Sequence, residues 1–276
     1  MKQTIVIAGL QVHIHTTDDH ATSSRPILAL FALHGRLESS ERMQDLISAM
    51  LESAGKQDQR SRDLIVVTFD QRNHGSRLQD LNANEDFKQN ARHAIDMWTI
   101  QSGTAQDVSF LIDYLEAYLF PLGERTIVEW GVAGRSLGGH SAWMVAAADP
   151  RVRVVIPMIG SPDYLELIEP RAKSNGIAVA APHFPDSLLK VIRSKSPAAL
   201  PYTSKEPENP FLGKRILVLS GGAADKLVPW AASQTFVEEL EVGPTGSKEY
   251  IVFEGVGHAV PPEMLSAAVD FVMKAL

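Results

Sequence analysis

A serine between glycines lies directly after an apolar run that predicts a strand. The string GRSLG occupies residues 134–138, follows the run 126–132 and leads into an alanine-rich helical pattern at 137–148. Because so tight a turn from strand to helix strains the residue at its centre, glycine is needed on either side to avoid clashes of β-carbons with neighbouring backbone. We therefore predict that Ser136 is a nucleophile whose hydroxyl lies at the carboxyl edge of a sheet.

A histidine and an aspartate follow two later strand patterns. His258 ends the string GVGH after the run 249–253, and Asp225 follows the run 215–220 by a short glycine turn. A hydroxyl is a weak nucleophile, so a neutral imidazole must accept its proton and a carboxylate must hold that imidazole in the right tautomer. Residue types and chain order predict His258 as the general base and Asp225 as the acid that orients it.

A second aspartate competes for the role of the acid. Asp163 also follows a strand pattern, at residues 152–158, and it begins a long irregular segment. We favour Asp225, because a short glycine turn holds a carboxylate more firmly than the start of a long segment does. Asp163 is also suited to capping a helix that begins at Tyr164.

Two backbone N–H groups are candidates for an oxyanion hole. Residues 33–36, LHGR, follow the apolar run 27–33, and a glycine turn at a strand end can aim its backbone at the site. The predicted donors are the N–H of Arg36 and that of Leu137, the residue after the nucleophile. His34 is interpreted as a turn residue that bonds local backbone.

Two arginines and four aromatic residues are candidates for substrate binding. Arg36 and Arg135 flank the predicted oxyanion donors, where a guanidinium could bind a substrate carboxylate, although pairing with a surface Asp or Glu is the default expectation. Binding pockets are mostly apolar and aromatic. The aromatic candidates for lining the pocket, each of which could equally be core, are Trp98, Tyr164, Phe184 and Trp230.

The elements that position these residues alternate between short β-branched runs and amphipathic helical patterns. This alternation predicts an α/β fold with a mostly parallel sheet and helices on both faces. Strands are predicted at 4–8, 12–16, 27–33, 64–69, 126–132, 152–158, 215–220 and 249–253, the first two as an edge hairpin and the other six buried on both faces. Helices are predicted at about 40–53, 104–119, 137–148, 230–241 and 261–275.

One stretch interrupts the alternation. Residues 161–212 are rich in proline and have no strand pattern, and loops of that length inside a domain are usually lids or binding loops. We predict a single domain over residues 1–276 that contains a lid-like excursion at 161–212, with an irregular surface insertion as the alternative.

Composition excludes several classes of function. The net charge of -7 would repel a phosphate backbone, so nucleic acid is not an expected partner. The absence of cysteine excludes disulfides, thiolate metal ligands and a thiol nucleophile. We find no signal peptide and no apolar stretch of the roughly 20 residues that cross a bilayer. We therefore expect a cytoplasmic protein that has no membrane partner.

Two histidines near the amino terminus have the spacing of a metal pair. His13 and His15 share one face of the predicted strand 12–16 because side chains alternate. No third ligand is evident, so we predict an exposed edge and no metal site.

Six strings carry a resemblance to a known superfamily. They are LHGR, DQRNHGSR at 70–77, GRSLGGHSAW at 134–143, DPRV at 149–152, GGAADKLVP at 221–229 and GVGH at 255–258. Through them the chain resembles an α/β-hydrolase over nearly its whole length, and in particular the small esterases grouped with prolyl-oligopeptidase-type and dienelactone-hydrolase-like proteins. It differs from dienelactone hydrolases in lacking a cysteine nucleophile, and from oligopeptidases in having no room for a propeller.

The resemblance implies the fold, a catalytic triad and an acyl-transfer reaction. It also implies a structural role for Asp70, Arg72 and His74, in which an Asp–Arg pair and a glycine turn fix the loop beside the site. The expected activity is ester hydrolysis through an acyl-enzyme on a small-molecule substrate, without a cofactor. Lactone, thioester or peptide hydrolysis and acyl transfer are alternatives on the same triad. A non-catalytic ligand-binding protein is the alternative from another class.

Overall fold

One eight-stranded sheet forms the centre of the molecule in the computed structural model, which describes residues 1–18, 20 and 23–276. Its order is β1-β2-β4-β3-β5-β6-β7-β8. The β1–β2 and β2–β4 pairs are antiparallel and the other neighbours are parallel, which confirms the predicted α/β class and the edge hairpin. The strands are Lys2–Ile7, Leu10–Thr16, Ile27–Leu33, Asp63–Phe69, Ile127–Arg135, Val152–Met158, Arg215–Ser220 and Ser247–Val252.

Helices cover both faces of this sheet. Along β3, Ala29 and Phe31 face one apolar cluster while Leu28 and Leu30 face the other, as the period of two requires. In order, α1 to α7 are Gln44–Gly55, His93–Leu119, Leu137–Ala148, Tyr164–Ser174, Asp186–Lys195, Ala231–Glu239 and Pro262–Met273. The first cluster packs α2 to α6, and the second packs α1 and α7. Among the described residues, none of the helices combines the length and the apolar character that crossing a bilayer requires.

Strand β8 was predicted to be buried on both faces, and this prediction is wrong. Tyr250 and Ile251 are 47% and 40% exposed, because β8 is the last strand of the sheet and pairs only with β7. Apolar composition alone does not distinguish an edge strand from a central one.

The prediction of an exposed edge at His13 and His15 is also wrong for His15. Strand β2 lies between β1 and β4, and His15 is buried with its Nε2 3.1 Å from the hydroxyl of Thr68. Burial lowers the pKa of His15 to about 4. No cluster of three His, Cys, Asp or Glu suited to a metal occurs within the described part of the chain.

The proline-rich segment 161–212 contains two helices, α4 and α5, rather than an irregular loop. Residues that it contributes to the core include Ile168, Phe184, Ile192 and Phe211, each at most 1% exposed. The segment is therefore packed as part of the domain.

This packing predicts unequal costs for two neighbouring substitutions on α5. Ile192→Ala should lower the free energy of unfolding by about 2–5 kcal/mol, because it empties a buried site. The matched control Val191→Ala shortens a side chain that is 40% exposed, and it should change the free energy of unfolding by at most about 0.5 kcal/mol. Urea unfolding of both variants measures the difference, and equal costs would contradict the packed arrangement.

Candidate active site

Ser136 lies at the junction of β5 and α3 in a strained backbone conformation. Its φ and ψ are 52° and −113°, a region that side-chain-bearing residues rarely adopt. A β-carbon at Gly134 would overlap the backbone of Gly138, and one at Gly138 would overlap the carbonyl of Leu33. Both glycines are required for this turn, which places the Ser136 hydroxyl beyond the end of the strand.

The structure brings Ser136, His258 and Asp225 into one chain of hydrogen bonds. Ser136 Oγ lies 2.8 Å from His258 Nε2, and His258 Nδ1 lies 2.8 Å from Asp225 Oδ2. The other carboxylate oxygen accepts the N–H groups of Leu227 and Val228, at 2.9 and 2.8 Å. With Nδ1–H donating to the carboxylate, Nε2 is free to accept the serine proton.

Asp225 is fully buried but remains suited to the ionised form. Burial acts to raise its pKa, while hydrogen bonds from His258 and the amides of Val228 and Leu227 act to lower it, and the net pKa is below its ordinary value. Hydrogen bonds to a charged form favour that form. The carboxylate therefore keeps its negative charge beside the imidazole at neutral pH.

Asp163, the competing acid, lies at the amino end of α4. Its Oδ1 accepts the backbone N–H of Glu166 at 3.0 Å, which is the geometry of a helix cap. No contact to His258 is found for it among the described residues.

The two predicted oxyanion donors lie at the ends of β3 and β5. The N–H of Gly138 donates to the carbonyl of His34 at 3.0 Å and so joins the loop after β3 to the start of α3. Leu137 is the first residue of α3, where an N–H has no acceptor within the helix. The N–H of Arg36 makes no hydrogen bond to any described residue.

His34 holds this loop in place. Its Nδ1 lies 2.8 Å from the carbonyl of Gly35, and its Nε2 accepts the N–H of Gln71 at 3.0 Å. Burial lowers the pKa of His34 to about 4, so the ring is neutral and donates through Nδ1. This is the turn role that the sequence indicated.

Arg135, a candidate for binding a substrate carboxylate, makes the ion pair with an acidic residue that was expected by default. Its guanidinium pairs with Glu38 at 2.6 Å, and Glu38 also accepts the N–H of Gly35. The Glu38 carboxylate therefore compensates the charge of Arg135. The side chain of Arg36 makes no ion pair with a described residue.

A small cavity of about 30 Å³ lies beside Ser136. Of the four aromatic candidates only Tyr164 lines it; Trp98 packs edge-on against Tyr164 and lines a different groove. Phe184 packs in the core near Phe87, and Trp230 stacks on Tyr250 of the edge strand β8. Trp98, Phe184 and Trp230 were therefore wrong as pocket residues, because an aromatic side chain in a sequence does not reveal which neighbour it packs on.

The cluster after β4 differs from its predicted pairing. Asp70 accepts the backbone N–H groups of Ser40 and Ser76, each at 2.8 Å, while Arg72 pairs with Asp107 of α2 at 2.9 Å. The predicted Asp70–Arg72 pair is absent. His74 bonds the carbonyl of Arg72, so all three side chains hold the loop.

Three polar or charged residues that line the cavity were missed in the sequence: Gln101, His140 and Arg171. His140 lies one helical turn after Ser136, and Gln101 is a polar residue on the buried face of α2, four residues after the buried Met97. The helical spacing of those two positions could have indicated that they lie near the site. The sequence around Arg171 gives no such indication, because its position depends on how α4 packs over the site.

Comparison with known proteins identifies relatives by sequence and by structure. No protein-family model matches the chain. It is 27% identical over 170 residues to a Bacillus subtilis protein named "Putative esterase YitV", and the match spans 59% of this chain and 62% of that protein.

Two solved structures superpose on almost the whole chain. TT1662 from Thermus thermophilus has a TM-score of 0.71 and 22% identity, covering 99% of this chain and 97% of its own. Acetyl xylan esterase 1 from Thermoanaerobacterium has a TM-score of 0.60 and 18% identity, covering 99% and 82%. The chain therefore has the α/β-hydrolase fold, and proteins named as esterases are among those that it resembles.

Proposed function

We propose that this protein is a serine hydrolase that cleaves carboxylic esters through an acyl-enzyme. The observation that carries the proposal is the continuous hydrogen-bonded chain from Ser136 Oγ through His258 to the buried Asp225, with the serine at a cavity. The strained backbone of Ser136 also supports the proposal, because conformations that cost conformational energy are concentrated at functional sites. The names of YitV and of the acetyl xylan esterase support esters as the substrate class.

The reaction begins when His258 accepts the Ser136 proton and Oγ attacks the ester carbonyl carbon. The N–H groups of Arg36 and Leu137 stabilise the oxyanion, because fixed donors stabilise developing charge without reorganisation. The tetrahedral intermediate expels the alkoxide, which takes the proton from His258. Water then attacks the acyl-enzyme with the same base, and the free acid and Ser136 are regenerated.

We further propose that the segment 161–212 governs substrate choice. Its helix α4 supplies Tyr164, Leu167 and Ile168 to the wall of the cavity beside Ser136. A cavity of about 30 Å³ leaves room for one or two water-sized groups, so a small group such as an acetyl methyl or a carboxylate fits without movement of α4.

The first prediction concerns the nucleophile. Purified protein should hydrolyse p-nitrophenyl acetate faster than the longer esters of a chain-length panel, and Ser136→Ala should lower kcat by a factor on the order of 10⁶. The matched control is Ser141→Ala, a buried serine one turn further along α3. Full activity in the Ser136 variant would contradict the proposal.

The second prediction separates the two aspartates. Asp225→Asn should lower kcat by about 10⁴, because an amide no longer holds the imidazole in the required tautomer. Asp163→Asn should leave kcat within about two-fold and stability almost unchanged, since asparagine caps helices as well as aspartate does. Steady-state kinetics of both variants measures this, and the reverse ranking would assign the acid to Asp163.

A further inference from the structure

The cavity beside Ser136 combines two positive charges with no compensating carboxylate. Arg36 and Arg171 both line it, together with apolar side chains, and no Asp or Glu is among its lining residues in the described part of the chain. Arginine in a protein interior is normally paired with an anion, because an unpaired buried charge is costly.

Arg171 is partly buried on α4 and lacks such a partner. Its Nη2 donates to the carbonyl of Leu227 at 2.7 Å, and it makes no ion pair with a described residue. Burial has the largest effect and lowers the pKa of Arg171, and the positive charge of Arg36 also lowers it, while Tyr164 and the carboxylates of Asp225 and Asp86 act to raise it. Arg36 likewise donates a hydrogen bond from Nη1 to the carbonyl of Asn84 at 2.6 Å, and no carboxylate pairs with it among the described residues.

Two uncharged polar side chains, Gln101 and His140, lie in the same cavity wall. Gln101 is 4% exposed, and its Oε1 is buried without a hydrogen-bond partner among the described residues. Side-chain amides can be turned over to present N–H instead, so Gln101 is able to donate.

His140 adds a further donor. Its Nδ1 lies 2.8 Å from the backbone nitrogen of Ser161 and 3.1 Å from the carbonyl oxygen of Ser161, and burial lowers its pKa to about 4, so the ring is neutral. In the tautomer that accepts the shorter of these two bonds, the proton lies on Nε2, which is then a donor. The polar lining of the cavity is thus rich in donors. Buried polar groups without partners are rare in folded proteins and call for an explanation.

We infer that the substrate is an ester that carries a carboxylate close to the scissile carbonyl, bound by Arg171 and Arg36 with donation from Gln101 and His140. A carboxylate accepts several hydrogen bonds at once and neutralises the facing guanidinium groups. This inference rests on the proposed ester hydrolysis and names its substrate class. The carboxylate takes no part in the bond changes and serves only to bind and orient the substrate.

A positioning role for Arg171 is the competing explanation. Its hydrogen bond to Leu227 touches the loop that donates to Asp225, so loss of Arg171 could disturb the acid rather than the substrate. A disturbed acid lowers kcat for every ester, whereas a lost carboxylate contact raises KM only for charged esters.

The experiment compares monoethyl succinate with its neutral isostere ethyl succinamate by pH-stat titration. The wild-type protein should prefer the charged ester by at least about ten-fold in kcat/KM, in line with hydrogen bonds to charged groups. Arg171→Gln should abolish the preference through KM, and Arg171→Lys should retain part of it. Lys173→Gln removes an exposed charge from the same helix and should leave kcat/KM unchanged for both esters. A second pair, 4-acetoxybenzoate and 4-acetoxybenzamide, tests for a carboxylate on the leaving group.

Equal rates within both pairs would overturn the inference and leave ester hydrolysis intact. An equal fall in kcat for charged and neutral esters in Arg171→Gln would also overturn it, in favour of the positioning role. Calorimetry of monoethyl succinate and of 4-acetoxybenzoate with Ser136→Ala gives a readout that needs no turnover. If no ester is hydrolysed, the proposed function fails. The carboxylate site is still supported if Ser136→Ala binds either ligand and the double variant Ser136→Ala/Arg171→Gln does not. Absence of binding of both ligands would then overturn the site as well.

Discussion

The close approach of three backbone segments around Ser136 is the constraint on which the site depends. The N–H of Ser136 donates to the carbonyl of Met158 at 2.9 Å, and that of Gly138 donates to His34 at 3.0 Å. Gly139 lies so close to Gly160 that neither position has room for a side chain. These contacts hold the strained turn in place, since a residue in an unfavourable φ/ψ region persists only where its surroundings over-determine it. They also set the loop after β3, which carries Arg36, at a fixed distance from the nucleophile.

The protein compensates the buried charge of Asp225 but not the charges of the two arginines at the cavity. Asp225 is buried but accepts hydrogen bonds from two backbone amides and from His258, so its charge is compensated within the protein. Arg171 and Arg36 line a small cavity with no carboxylate among its described lining. Because a buried charge without a partner is costly, the arrangement around Asp225 is complete in the free protein, whereas the two arginines are the basis of the proposed carboxylate site.

Local patterns in the sequence predicted the elements and the candidate triad well, because these depend on short-range rules. A tight strand-to-helix turn requires glycines around Ser136, and strand ends at one sheet edge bring Asp225 and His258 towards it. The structure places those three side chains together. The strands Ile27–Leu33, Val152–Met158 and Arg215–Ser220 have the predicted bounds, since continuous apolar runs define buried strands clearly.

Features that depend on tertiary neighbours were predicted poorly. Arg135 was a candidate for substrate binding with an ion pair as the default, and no local pattern identified its partner Glu38, which is 97 positions away. Trp98 and Phe184 are aromatic residues whose packing partners no local pattern identifies. Arg171 was missed for the same reason, because an exposed-looking charge on a predicted lid reaches the cavity only through the packing of α4.

The most direct measurement of the central claim is the site of reaction with a fluorophosphonate, which modifies an activated serine hydroxyl. Intact-mass spectrometry and peptide mapping of the treated protein should find one adduct, on Ser136, and Ser136→Ala should remain unmodified. Treatment after unfolding in urea is the matched control and should give no adduct, because the hydroxyl is activated only when His258 and Asp225 are in place. An adduct on another residue, or one that persists in Ser136→Ala, would contradict the assignment of Ser136 as the nucleophile.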